Sequence, residues 1–213
     1  MLCLMVDKIT SWKYAEEFVD ENDALLRARV RADELGVECI TAATGAHLAL
    51  LVSALGAKAV VEAGTGAGVS GLWLLSGNQD CVLATIESES EHLNAAKAAF
   101  KDGKIATNRT RVINGRAHEV LSNMADAAYD LVFLDADHET LELQLHEASR
   151  LLRPSGVIAI SHALWRDRVP NPAMRDDTTT TYRDVLRFFV KNDDFVSTLS
   201  TVGDGLLLAS KRA

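Results

Sequence analysis

The feature that most constrains the fold is the run Val60-Val61-Glu62-Ala63-Gly64-Thr65-Gly66-Ala67-Gly68-Val69-Ser70-Gly71. An apolar stretch passes straight into a glycine-rich turn and then into a second apolar stretch of helical character. Glycine lets the backbone approach a ligand closely, and a helix beginning there offers unpaired N–H groups. The chain beyond repeats the alternation. Near-continuous apolar runs at 58–63, 81–86, 110–114, 129–135 and 156–161 read as strands covered on both faces. Between them 68–76, 89–100, 117–124 and 139–152 read as helices, the last carrying Leu141, Leu145, Ala148 and Leu152 on one face. Strands alternating with helices predict a doubly wound, mostly parallel α/β sheet.

The two ends depart from that alternation. Residues 11–55 read as three helices, with Asp23 as a cap and Gly36 and Gly56 as stops. Residues 178–190 place Tyr182, Val185, Leu186 and Phe189 on one helical face, and 195–202 and 206–210 flank Gly203-Asp204-Gly205. That turn predicts a C-terminal antiparallel hairpin and a seventh strand. A length of 213 residues makes one domain the expectation, 1–213, with N-terminal helices over 1–56 and the sheet-bearing core over 57–213.

Composition narrows the partners. The chain carries 22 Lys and Arg against 30 Asp and Glu, a net charge of −8. That balance argues against a nucleic-acid binder driven by phosphate contacts and against an anionic-membrane protein, although Arg109, Arg111 and Arg116 cluster locally. Cys3, Cys39 and Cys81 form no CxxC pair, which argues against a disulfide framework or structural zinc and fits a reducing, cytoplasmic setting. Residues 1–6 are mostly apolar but too few for a signal peptide, and no apolar run approaches the ~18 residues of a membrane span.

Two ligand chemistries fit the glycine loop. Gly66 to Gly71 satisfies GxGxxG, the dinucleotide fingerprint of an NAD(P)-dependent oxidoreductase. Glu62 with Gly64, Gly66 and Gly68 instead gives the acidic-x-GxGxG loop of S-adenosylmethionine enzymes. A carboxylate at Glu62 repels a pyrophosphate and attracts an ammonium group, which favours the second reading. Glu87 closes the next strand, where a carboxylate accepts ribose hydroxyls in either case.

Taken in order, these blocks resemble the class I S-adenosylmethionine-dependent O-methyltransferases of the catechol and caffeoyl-CoA type, and the resemblance covers nearly the whole chain. It is carried by Ile40 to Leu51 with Gly45, Val60 to Ser70, Thr85-Ile86-Glu87, and Val112-Ile113-Asn114-Gly115 with Ala117-His118. Further on it is carried by Leu131 to Asp137, Leu151 to Ile158, Ala163-Leu164-Trp165 and Gly203 to Leu206. The resemblance implies a Rossmann-like methyltransferase sheet and S-adenosylmethionine as cofactor. It places Glu62, Gly64, Gly66 and Gly68 in the cofactor loop, Ser70 on the cofactor's carboxylate, Ile40 beside it through its backbone, and Glu87 on the ribose. Ala117 and His118 would border the adenine, with Asp135 touching the cofactor.

The catalytic positions depart from the family's pattern. The family holds a divalent ion on two Asp and one Asn. Asp135 matches the first, but the adjacent pair reads Ser161-His162, and His138 stands where the family has its lysine base. Mg²⁺ prefers an all-oxygen shell, so this set argues against a magnesium site and leaves Asp135 with His162 as part of a site for Mn²⁺, Fe²⁺ or Zn²⁺ completed by waters. A phenol with a pKa near ~10 needs help to lose its proton at neutral pH, and histidine gives that help without a metal. The expected catalytic residues are therefore Asp135, His138 and His162, acting on a small hydroxylated, aromatic acceptor beside a loop at 163–177. A cofactor-binding protein that has lost the family's activity is the other alternative. The apolar residues Trp12, Tyr14, Phe18, Leu25 and Leu26, with part of 163–190, point to a homodimer, as the resemblance also implies.

Overall fold

The computed structural model describes residues 8–213, so Cys3 and the apolar run 1–6 lie outside the described residues. Three helices come first, α1 (Lys8–Glu16), α2 (Asp23–Leu35) and α3 (Ala42–Leu55). The alternating core follows as β1 (Ala59–Ala63), α4 (Val69–Ser76), β2 (Val82–Glu87), α5 (Ser90–Asp102), β3 (Thr110–Asn114), α6 (Ala117–Leu121), β4 (Tyr129–Leu134), α7 (Leu141–Leu151) and β5 (Leu152–Ile160). The chain ends with α8 (Asp177–Lys191) and the strands β6 (Phe195–Ser200) and β7 (Leu206–Lys211).

The seven strands lie in the order β3-β2-β1-β4-β5-β7-β6. The first five are parallel, and β7 runs antiparallel to both β5 and β6. Helices cover both faces, which is why the strands read as unbroken apolar runs. Val60, Leu131 and Phe133 face a core with Leu25, Leu48, Leu74 and Phe100. Their neighbours Val61, Val132 and Leu134 face a second core with Leu121, Leu145 and Tyr182. Strand alternation thus feeds two cores from one sheet.

Local chemistry explains most boundaries and corrects a few. Gly36 and Gly56 end α2 and α3 in the left-handed conformation, each giving its N–H to carbonyls of the last turn. The cap of α2 is Asn22 and not Asp23: its side chain accepts from the N–H groups of Ala24 and Leu25. Asp23 is the first helical residue, where a negative charge suits the helix dipole. Helix α7 stops at Leu151. Leu152 is buried, but as the first residue of β5, paired with Tyr129 ahead of an irregularity in the β4–β5 register. Helix α6 ends at Leu121, three residues short of the expected Met124.

Leu131 is fully buried between Val60 and Val157 in the middle of the sheet. Leu131→Ala is expected to lower unfolding free energy by about 2–5 kcal/mol through lost burial and a residual cavity. Chemical denaturation should show this as a lower midpoint at unchanged slope.

Candidate active site

The site sits at the carboxyl ends of the strands, where β1 has β2 on one side and β4 on the other. Chain crossovers diverge at that point and leave a crevice. A cavity of about 510 Å³ opens there. Its wall includes Ile40, Gly64, Gly66, Ser70, Glu87, Ala117, His118 and Asp135, so the structure gathers most of the expected cofactor residues around one space. Glu62 and Gly68 do not line it. Gly68 (φ +88) turns the chain into α4, and a Cβ there would come within 3.0 Å of the Ala96 Cα on α5. Gly64 (φ +95) lies so close to the Asp135 carbonyl that a side chain would collide with it.

Glu62 lies beneath the loop, fully buried. Thr85 donates its hydroxyl to Glu62 Oε2 at 2.6 Å, and the Thr85 and Thr65 hydroxyls meet at 2.5 Å. The acid therefore props the glycine turn from below, while Glu62 Oε1 is buried without a hydrogen-bond partner. Burial pushes the Glu62 carboxyl up to about 8, against the lowering effect of the Ser70 and Thr85 hydroxyls, and the charges of Asp135 and Glu87 push the same way as burial. At the rim, Glu87 accepts from the N–H groups of Gly66, Ser88 and Glu89 at 2.9, 2.9 and 3.1 Å. A carboxylate has about four acceptor sites, so capacity remains for one further hydroxyl.

Beyond the cavity the ends of β4 and β5 bring Asp135, Ser161 and His162 together. Ser161 donates its hydroxyl to Asp135, and His162 Nε2 lies 3.5 Å from the same carboxylate. Burial pushes the Asp135 carboxyl up to about 6, offset by the charge of His162 and the Ser161 hydrogen bond. The other ring nitrogen, His162 Nδ1, lies 3.2 Å from Asp204 Oδ2. Trp165 meets both histidines: its ring centroid is 5.4 Å from that of His138 and 6.4 Å from that of His162, and its other side stacks on Tyr182 at 5.4 Å. Burial raises the Tyr182 phenol well above its ordinary range, so it stays protonated. Of the two histidines only His162 sits between carboxylates.

The resemblance implies a divalent ion at Asp135 and the two positions that read Ser161 and His162. The donors present do not fit Mg²⁺: one carboxylate already accepts from a hydroxyl, and an imidazole replaces an oxygen ligand. Among the described residues no three His, Cys, Asp or Glu side chains form a metal-holding group. The cysteines within the described residues are inert thiols, Cys39 and Cys81, each pushed up to about 11 by burial.

Sequence reasoning missed two residues that shape this region. Asp204 appeared only as a turn residue, and no local pattern could pair it with a histidine 42 positions away. Arg183 lies on α8 and donates to the carbonyls of Val169, Arg168, Asn171 and Met174, tying down the loop after His162. Of the local arginine cluster, Arg111 and Arg116 are exposed. Arg109 spends its guanidinium on the carbonyls of Cys81, Leu75 and Asn78, and Arg116 lines the cavity.

A glycine turn before a helix, an acid closing the second strand and a seven-stranded sheet ending in a hairpin define a Rossmann-like protein built to hold a nucleoside-bearing ligand. The sequence pattern of the O-methyltransferase family matches residues 16–212, and the chain belongs to that family. A Mycobacterium ulcerans protein named as an O-methyltransferase is 47% identical over 197 residues, covering 92% of this chain and 88% of that one. A Corynebacterium glutamicum crystal structure superposes with a TM-score of 0.88 at 27% identity, over 97% of this chain and 98% of that one. The O-methyltransferase TomG of Streptomyces achromogenes, involved in tomaymycin synthesis and solved in complex with SAM, gives a TM-score of 0.82 at 25% identity over 96% of each chain. Family membership sets aside the oxidoreductase reading of GxGxxG.

The raised Glu62 carboxyl makes a stability prediction with a definite sign. Between its unfolded value near 4.5 and its folded value of about 8, the native state binds more protons than the unfolded chain. Stability from this group is therefore present at low pH and lost as pH rises through that window, at up to about 1.4 kcal/mol per pH unit. Thermal unfolding of the ligand-free protein between pH 5 and 8 should show the decline, and Glu62→Gln should flatten it. An equal slope in the variant would assign the effect to other groups.

Proposed function

We propose that this chain transfers a methyl group from S-adenosylmethionine to an oxygen of a small hydroxylated, aromatic acceptor, with His162 taking the acceptor's proton. The observation that carries the second half is the placement of His162 between Asp204 at Nδ1 and Asp135 at Nε2. Bound S-adenosylmethionine supplies a methyl group activated by a positive sulfur. The chain's own residues do the rest. Ser70, at the start of α4 and on the cavity wall, receives the ligand's carboxylate with the first N–H groups of that helix, and Glu87 receives a ribose hydroxyl. Asp135 and Glu87 give the cavity an acidic wall suited to a cationic ligand. As the acceptor oxygen takes the methyl carbon, with the carbon–sulfur bond breaking and its electron pair leaving on S-adenosylhomocysteine, the acceptor's proton passes to His162 Nε2, and the imidazolium that results lies between two carboxylates. His138 meets Trp165 at a tilt and borders the acceptor space, without a carboxylate to steady a proton.

A homodimer belongs to the same proposal. Helix α1 buries none of its residues, and Trp12, Tyr14 and Phe18 are exposed, with Leu26 beside the buried Leu25. A second copy of the chain is the partner that this apolar strip and the resemblance both favour. Light scattering at micromolar concentration should give twice the chain mass; the mass of one chain would count against it.

S-adenosylhomocysteine should raise the melting temperature, since it binds only the native state. Glu87→Ala should weaken that binding by about 1–3 kcal/mol in calorimetry. With catechol as probe acceptor, methyl transfer should persist in EDTA and should fall by roughly 10²–10⁴-fold in His162→Ala at nearly unchanged cofactor affinity. Turnover abolished by EDTA and restored by Mg²⁺ would overturn the histidine mechanism, and absence of any response to S-adenosylhomocysteine would overturn the cofactor assignment.

A further inference from the structure

A neutral imidazole has one proton to place and, in this site, two carboxylates competing for it. His162 Nδ1 faces Asp204 Oδ2 at 3.2 Å, and Nε2 faces Asp135 Oδ1 at 3.5 Å. The competition is unequal. Asp135 Oδ1 already accepts the Ser161 hydroxyl, whereas Asp204 divides its work: Oδ1 takes the backbone N–H of Arg166 at 2.6 Å, which leaves Oδ2 for the ring. The other groups around the ring do not alter this order. Trp165 meets it edge-on, and the Arg166 guanidinium is turned away to Glu38 at 2.7 Å. His138 and Tyr182 reach Trp165 and not His162.

We propose that Asp204 is a positioning residue that selects the tautomer of His162, holding the proton on Nδ1 so that Nε2 presents a free lone pair toward Asp135 and the acceptor. The inference rests on the proposed role of His162 as base, since only a bare Nε2 can take a proton there. It also gives the carboxylate a second task. Through Arg166 the same side chain fixes the backbone just after Trp165, so one residue sets both the ring's proton and the loop that borders the acceptor.

The geometry supplies a substitution that separates positioning from mere support. In Asp204→Asn the backbone N–H of Arg166 can only donate, so it holds the amide oxygen where Oδ1 now is. The amide NH₂ then faces His162 Nδ1, which must accept, and the ring proton moves to Nε2. Both hydrogen bonds and the loop survive, while the tautomer reverses. The experiment is long-range ¹H–¹⁵N spectroscopy of histidine-labelled protein, recorded over an alkaline pH series and read on the neutral rings. It is run with and without S-adenosylhomocysteine, and His162 is assigned by its loss in His162→Gln.

The wild type should show the Nδ1–H form and Asp204→Asn the Nε2–H form, with melting temperatures nearly equal. With catechol as acceptor, kcat should fall by about 10²–10⁴-fold in the variant at little changed KM. The same tautomer in both proteins, or Nε2–H in the wild type, would overturn the proposal. Spectra of the ligand-free protein decide it even if S-adenosylhomocysteine fails to bind, a result that would strike the cofactor reading and leave the tautomer question answered.

Discussion

The arrangement depends on the close passage of Gly64 over the backbone of Asp135. Strand β1 ends in Ala63, whose carbonyl accepts the Asp135 N–H at 2.8 Å, and Gly64 and Thr65 both donate to Ile86 on the other side. The chain thus leaves the sheet between two neighbours with no room for a Cβ. The methyl-donor side and the acceptor side of the proposed site are the two flanks of that gap, joined by the sheet itself. A rigid parallel sheet sets their separation to within the tolerance of its hydrogen bonds, which loops alone would not do.

A second constraint is electrostatic. Glu62, Asp135 and Glu87 converge on the same strand ends, and the first two are held above their ordinary pKa by burial. Buried acids are costly to fold around, and at Glu62 the cost is lowered by keeping the proton. The Thr85 hydroxyl beneath the loop and Ser161 beside Asp135 offset part of it through hydrogen bonds. A site organised in this way is electrostatically incomplete when empty. With Asp135 and Glu87 on the cavity wall, this suits a ligand bearing a sulfonium or ammonium group better than one bearing a pyrophosphate.

What the sequence shows and hides follows the range of the interaction. Glycine stops at Gly36 and Gly56, the strand runs and the terminal hairpin are local, and each has a pattern of its own. The helix cap slipped by one residue because Asn22 and Asp23 are both good caps and only backbone geometry separates them. Glu62 was recognisable as an acid at the end of a strand, but its depth was not. Strand parity sends it under α4 toward Ser70, away from the cavity wall. Asp204 and Arg183 were invisible for a different reason: one lies in a turn whose glycines already explained it, the other on a helix whose apolar face already explained it. A residue satisfied by one local role does not advertise a second.

The loop between β5 and α8 shows why those distant partners are needed. His162, Trp165, Arg166 and Asp167 all have positive φ, from 44° to 59°, a conformation that costs L-residues of order 1–3 kcal/mol each. The turn is closed by Trp165 N–H to the His162 carbonyl at 2.8 Å and Arg168 N–H to the Trp165 carbonyl at 3.0 Å, but these bonds alone fix no side chain. Asp204 holds the turn from the hairpin side at Arg166, and Arg183 gathers the carbonyls of its far end from α8. With both ends held, Trp165 lies on Tyr182, and His162 points one nitrogen at each of two carboxylates. A relaxed right-handed turn would save the strain and lose that orientation. In this chain the backbone strain and the placement of His162 are therefore parts of one arrangement, and a substitution that relieved the strain would remove the base from its proposed position.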